Sequence, residues 1–244
     1  MNEVEQRVLT EVERHEASMI SFLQTMVRQP STLGHEMGAQ QVVYRKLRSL
    51  GLAAEMWEPR LDLLHTHPAF APVEWSYEGR PNVTAVHKGR GGGKSLVLNG
   101  HIDVVSPEPL WGWSYDPWGA EVVGRRLYGR GAEDMKGGIA MMVLALEAII
   151  AAGLSLHGDV FVESVLEEEC CGNGTLACRL SGYSAGADAA IIPEPEGLGA
   201  NVVDVGVMWF RVRVRGTSGH VGDAHKAINA IEKCFLLIRD IHCF

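Results

Sequence analysis

Apolar residues recur at Val4, Val8, Val12, Met19, Ile20, Leu23 and Val27, close to the helical period, so an amphipathic helix is expected to open the chain. A second helix is expected from about Glu36 to Leu50, with Gly51 placed to end it. Leu52–Trp57 reads as a short strand and Leu61–Gly79, polar and proline-containing, as a long loop. Asn82–His87 and Lys94–Asn99 read as two strands joined by the glycine-rich turn Gly89–Gly93. Glu121–Leu127 adds a short strand. Met135–Ala152 is apolar almost all round, the mark of a buried helix, and stops at Gly153. Asp159–Leu166 and Ala189–Pro193 read as strands, with a helix over roughly Gly172–Leu180 between them.

Apolar strands alternating with helices predict an α/β domain with a mixed, mostly parallel sheet flanked by helices. The pattern changes after Gly199. Val203–Val214 alternates as one long strand, with Phe210, Val212 and Val214 on one face and Arg211, Arg213 and Arg215 on the other. One polar face implies a sheet wetted on that side. A helix over Ala224–Ile241 follows. The expected organisation is thus an α/β domain over residues 1–200 and the start of an α+β domain over residues 201–244.

The composition, 46% hydrophobic and 21% charged over 244 residues, fits a soluble chain able to bury a core. The net charge of -8, with no basic patch, argues against a nucleic-acid partner. The five cysteines, at 170, 171, 178, 234 and 243, have no CxxC pairing and read as reduced thiols. The charged N-terminal segment has no apolar leader region, and the most apolar stretch, Gly137–Ala152, is too short to span a membrane. A cytoplasmic protein is expected, with no membrane partner.

Four segments carry candidate chemistry. In Leu96-Val-Leu-Asn-Gly-His-Ile-Asp103 an apolar strand delivers His101 and Asp103 at its C-terminal end, two residues apart and on one face. That pair suits a metal-bound imidazole steadied by a carboxylate, or a purely structural hydrogen bond. In Gly129-Arg-Gly-Ala-Glu-Asp-Met-Lys-Gly-Gly138, Asp134 stands where a helix begins, as an N-cap or as a rigid ligand able to bridge two cations. Glu167-Glu168-Glu169 follows a buried strand; three such carboxylates repel unless a cation or shared protons relieve them, although a solvated loop would also serve. Glu194, in Ile191-Ile-Pro-Glu-Pro195, closes another strand or simply faces water. One histidine and several carboxylates at strand ends suit zinc or a similar divalent ion better than the adjacent Cys170 and Cys171 do.

GHIDVV, GRGAEDMKGG, the Glu-Glu pair of EEECCGNGT and IIPEP, in that order, resemble the M20 family of metallopeptidases and deacylases. Arg80-Pro-Asn-Val83 and Trp113 to Trp118 extend the likeness, which leans toward the deacetylase and desuccinylase branch. The resemblance implies a zinc-dependent exopeptidase fold with a lid and dimerisation domain. It implies two zinc ions, with cobalt or manganese as substitutes: His101, Asp134 and Glu194 at one, Asp134 and Glu169 at the other. It makes Asp103 the support of His101, Glu168 the general base and acid, and the bond after Asp134 cis. His220, in Gly216-Thr-Ser-Gly-His220, matches a histidine that reaches a partner subunit's site to polarise the scissile carbonyl, and Asn229 a lid position that orients substrate.

The implied activity is removal of an acyl group from an N-acyl amino acid or related amine, in a homodimer; a di- or aminopeptidase and an inactive metal-binding remnant are the alternatives. Members of the family are longer and supply a further histidine for the second zinc, so the chain is expected to be C-terminally truncated.

Overall fold

The computed structural model describes residues 1–195, 197, 199–203, 206 and 211–242. The opening helix α1 spans Glu3–Val27 and is started by a capping box, in which Asn2 and Glu5 each accept the other's backbone amide. Helix α2 covers Met37–Ser49, and Gly51, at φ +79°, takes the left-handed conformation that turns the chain back into strand β1, Ala53–Trp57. The segment expected as loop contains one helical turn, α3, at Leu61–Leu64, fixed by the buried Leu64. Strands β2, Asn82–His87, and β3, Leu96–His101, follow. The single strand expected over Glu121–Leu127 is a tight hairpin, β4 Glu121–Val123 and β5 Arg126–Tyr128, because Gly124 turns the chain at φ +62°. Then come helix α4, Lys136–Ala151, strand β6, Val160–Val165, helix α5, Asn173–Leu180, and strand β7, Ala189–Ile191.

The five-stranded sheet has the order β1-β2-β6-β3-β7. β6 pairs in parallel with β3 and β3 with β7, while β2 runs antiparallel to both its neighbours, so four of the five strands point the same way. The glycine-rich segment after β2 therefore does not close a hairpin: β6 is inserted between β2 and β3. Val83, Leu98 and Val162 of the sheet pack with Phe22 and Met26 of α1, Val43 and Leu47 of α2, and Ile139, Val143 and Leu146 of α4. Each fully buried aliphatic side chain of this kind contributes about 1.5–3 kcal/mol. That layer fixes the heights at which β3, β6 and β7 end, and hence where the residues after them project.

The chain divides into two compact units, Met1–Gly199 and Ala200–Phe244. In the second, a 3-10 segment at Val221–Lys226 precedes helix α6, Ala230–His242. The single helix expected over Ala224–Ile241 is thus interrupted: Ile228 forms an isolated antiparallel bridge with Thr217. Half of the long strand expected over Val203–Val214 lies outside the described residues, and its described positions are not in a strand. Among the described residues no helix is long and apolar enough to cross a membrane.

Candidate metal centre

Because β6, β3 and β7 lie side by side and parallel, their C-terminal ends share one edge of the sheet. That edge is where open α/β sheets place ligands. His101 is the last residue of β3, Glu167–Glu169 follow β6, and Glu194 follows β7. Asp134 reaches the same edge from the loop before α4.

The His101 side chain is 1% exposed. Its Nδ1 lies 2.8 Å from the main-chain oxygen of Asp103, so it donates there and leaves Nε2 to face outward. Nε2 is 3.1 Å from Asp134 Oδ1, 3.6 Å from Glu194 Oε1 and 3.8 Å from Glu168 Oε2. One ligand atom from each of His101, Asp134 and Glu169 falls within 4.8 Å of the others. His101, Asp134 and Glu169 thus gather their ligand atoms in one place, with Glu194 and Glu168 within 3.8 Å of His101 Nε2, and imidazole with carboxylates is the set that zinc-like ions take.

The charges show why a cation fits. Burial would lower the His101 pKa, but Asp103, Glu194 and Glu168 outweigh it and raise it. Burial, reinforced by Asp134, Glu168 and Glu169 and opposed by His101, pushes Glu194 up to about 7. Burial and the neighbouring Asp134 also raise Glu169. Carboxylates gathered this closely repel one another, and a divalent ion would relieve that repulsion.

The Asp103 carboxylate has contacts on two sides, with His101 and with the turn after β6. Its Oδ1 is 3.7 Å from His101 Nδ1, while Oδ1 and Oδ2 accept the backbone amides of Glu168 and Glu169 at 3.3 and 3.2 Å. Both the main-chain oxygen and the carboxylate of Asp103 face His101, and the carboxylate also holds the Glu168–Glu169 turn. Burial raises the Asp103 pKa to about 6 against the pull of His101 and those amides.

Asp134 is not an N-cap: that position is Met135, which makes no side-chain cap, and the Asp134–Met135 bond is cis. Next to it Lys136 is completely buried and donates to the main-chain oxygens of Met26 and Gln29, each at 3.0 Å, pinning the loop to the end of α1. Helix α4 also runs against the loop that bears Glu194. A Cβ on Gly138 would come within 2.1 Å of Pro193 O, so only glycine admits this approach.

Of the three acidic residues after β6, Glu167 behaves differently. It is fully buried at φ +67°, a left-handed conformation that costs a side-chain-bearing residue about 1–2 kcal/mol. Arg80 Nη1 lies 2.8 Å from its Oε1, and Trp75 and Tyr77 each donate to it at 2.6 Å. Burial and the Glu167 charge keep the Tyr77 phenol protonated. Arg80 and Glu167 both lie in segments marked by the sequence, but their pairing, and that of Trp75 and Tyr77 with Glu167, is long-range and no local motif signals it. The described cysteines 170, 171, 178 and 234 are free and stand outside the ligand cluster.

His220 belongs to the second unit, where it is exposed and its Nδ1 accepts the Gly222 amide at 3.1 Å. Asn229 accepts the Ile231 amide through its side chain at 3.0 Å, a local contact at the start of α6.

Residues 97–235 match the model of peptidase family M20/M25/M40. The chain is 30% identical to the N-formyl-4-amino-5-aminomethyl-2-methylpyrimidine deformylase of Halalkalibacterium halodurans, over 97% of this chain and 54% of that one. It is 32% identical to the succinyl-diaminopimelate desuccinylase of Methylocella silvestris, over 90% and 55% respectively. The chain therefore spans about half the length of the curated relatives it matches. The solved di-peptidase Dug1p of Saccharomyces cerevisiae superposes with a TM-score of 0.64 at 16% identity, over 77% of this chain and 40% of that one, a likeness of fold.

Proposed function

The chain belongs to peptidase family M20/M25/M40, and from that premise we propose that it carries the metal-binding and base-bearing part of an amide hydrolase that removes an acyl group from an N-acyl amine. The observation that carries this reading is the outward-facing Nε2 of His101 with Asp134, Glu168 and Glu194 gathered within 3.8 Å of it. The similarity to a deformylase and a desuccinylase, both at or above 30% identity, favours deacylation over peptide hydrolysis.

His101, Asp134 and Glu194 would hold one zinc, and Asp134 and Glu169 contribute to a second. A divalent cation there supplies Lewis acidity, making water deprotonable near neutral pH and polarising a carbonyl. Glu168 is the general base: its side chain is 55% exposed, open to water and substrate, while its backbone is fixed by Asp103. It removes a proton from water, the oxygen attacks the amide carbon, the C–N bond breaks, and the same proton passes from Glu168 to the departing nitrogen. His220 polarises the carbonyl from a second copy of the protein, and Asn229 orients the substrate; both roles rest on the family resemblance. The reducing, cytoplasmic setting rests on the free cysteines.

The test is hydrolysis of N-formyl, N-acetyl and N-succinyl amines against dipeptides, with and without a chelator. Chelator-sensitive release of the acyl group supports the proposal. Faster cleavage of dipeptides would assign a peptidase instead, and bound zinc without turnover on any of them would mark a non-catalytic metal protein.

A further inference from the structure

We propose that Glu167 is a positioning residue, the anchor of a buried clamp that aims the Glu168 and Glu169 carboxylates at the metal site; the inference rests on reading the His101 cluster as a metal centre. Two consecutive residues leaving a strand normally project to opposite sides. Here Glu168 and Glu169 both reach the His101 cluster, and the turn that allows it begins at the left-handed Glu167. Its main-chain oxygen accepts the amides of Cys171 at 2.9 Å and Gly172 at 2.6 Å, closing the turn ahead of α5.

The side chain then turns inward. Oε1 accepts Trp75 Nε1 and lies beside Arg80 Nη1, an ion pair whose angle is off that of a hydrogen bond. Oε2 accepts Tyr77 OH at 2.6 Å and the Cys171 thiol at 3.2 Å. Arg80 spends its other edge on Glu36, Nε to Oε2 at 3.1 Å and Nη2 to Oε1 at 2.5 Å, a two-point contact that fixes the guanidinium plane. Asn173 donates to Tyr77 OH at 3.1 Å and brackets Ala71, so the donors are themselves held. Opposite this clamp, Asp103 takes the amides of the next two residues. The turn is gripped by its first side chain and by the following two amides, leaving the two outward carboxylates little freedom of direction. A carboxylate that saturated cannot also ligate a metal or move protons, so the three acidic residues divide into one anchor, one base and one ligand.

Co2+ alone, titrated into the metal-free 244-residue chain and followed by its visible absorption, tests the clamp without relying on turnover. Wild type, Glu167→Gln, Tyr77→Phe, Trp75→Phe and the control Asp134→Asn are compared, each with a melting curve in chelator. Supporting residues of metal sites are worth about 10- to 100-fold in affinity. Glu167→Gln should weaken Co2+ binding by that much, and Tyr77→Phe and Trp75→Phe, which each delete one donor, by about 10-fold, the low end of the range. A purely structural role would lower the melting temperature and leave the affinity of the folded protein unchanged. If Glu167→Gln fails to fold, the two milder variants decide: weaker Co2+ binding in both supports the clamp, and wild-type affinity in both overturns it. Equal binding by wild type and Asp134→Asn would remove the metal-centre reading and the proposal with it. Binding that needs Asp134 but ignores Glu167, Tyr77 and Trp75 would overturn the proposal alone.

Discussion

The two sides of the His101 cluster are built on opposite lines. On the open side, the side chains of Asp134 and Glu168 are 56% and 55% exposed. On the closed side, Glu36, Arg80, His101, Asp103 and Glu167 are all buried, and each is held by a named partner. Groups that must meet a metal, water and a substrate cannot be shielded, and long exposed carboxylates left alone sample many rotamers. The closed side removes that freedom through the backbone. Acidic residues that look equivalent in sequence therefore belong to separate tasks, and substitutions on the two sides should fail in separate ways.

The largest effect is expected on the open side. Glu168→Gln in an active protein should lower kcat about 100- to 10,000-fold, the usual worth of a positioned proton-transfer group, with zinc content unchanged. Steady-state rates and metal analysis on the same sample check this; loss of metal would make Glu168 a ligand. On the closed side, Arg80→Met leaves the Glu36 and Glu167 carboxylates buried without their cation. Breaking a buried pair in this way costs about 3–5 kcal/mol, which the midpoint of urea unfolding would report. A shift under about 1 kcal/mol would mean that Arg80 gains little from its partners, as exposed pairs do.

Gly138→Ala sets two effects against each other. Helix propensity alone would favour alanine by about 1 kcal/mol. The new Cβ, however, would fall 2.1 Å from Pro193 O, and forcing atoms into a filled space costs about 1–3 kcal/mol. Net destabilisation is expected, with weaker zinc binding because the displaced loop bears Glu194. A stabilised variant with unchanged metal affinity would show that the loop yields freely. The smallest effect is expected at Cys171, whose thiol donates one bond to Glu167 and accepts one from the Cys170 thiol. Cys171→Ser should change stability by less than about 1 kcal/mol, because a hydroxyl can make the same bonds, and should leave zinc affinity unchanged.

Much of the open side was legible from sequence because its logic is local. Apolar runs ending in His101, Glu167–Glu169 and Glu194 mark strand ends, and parallel strands bring their ends to one edge. What sequence could not supply was the order of the strands. Nothing in Gly89–Gly93 says that β6 will separate β2 from β3, since that insertion is a long-range pairing. The hairpin at Gly124 and the interruption before α6 turn on single residues, beneath the resolution of a periodicity argument. The closed side was illegible for a third reason: nothing local says that Arg80 and Glu167 will be buried together, or that the Asp103 carboxylate will also take the amides of Glu168 and Glu169.

The central claim is that the residues around His101 form a divalent-metal centre, and zinc titration of the chelator-treated 244-residue chain beside its His101→Ala variant tests it most directly. The account predicts about one zinc held tightly per chain, on the three-ligand set His101, Asp134 and Glu194, and that this zinc is lost in the variant. A chain that holds no zinc, or a variant that holds it as tightly as the wild type, would contradict the account.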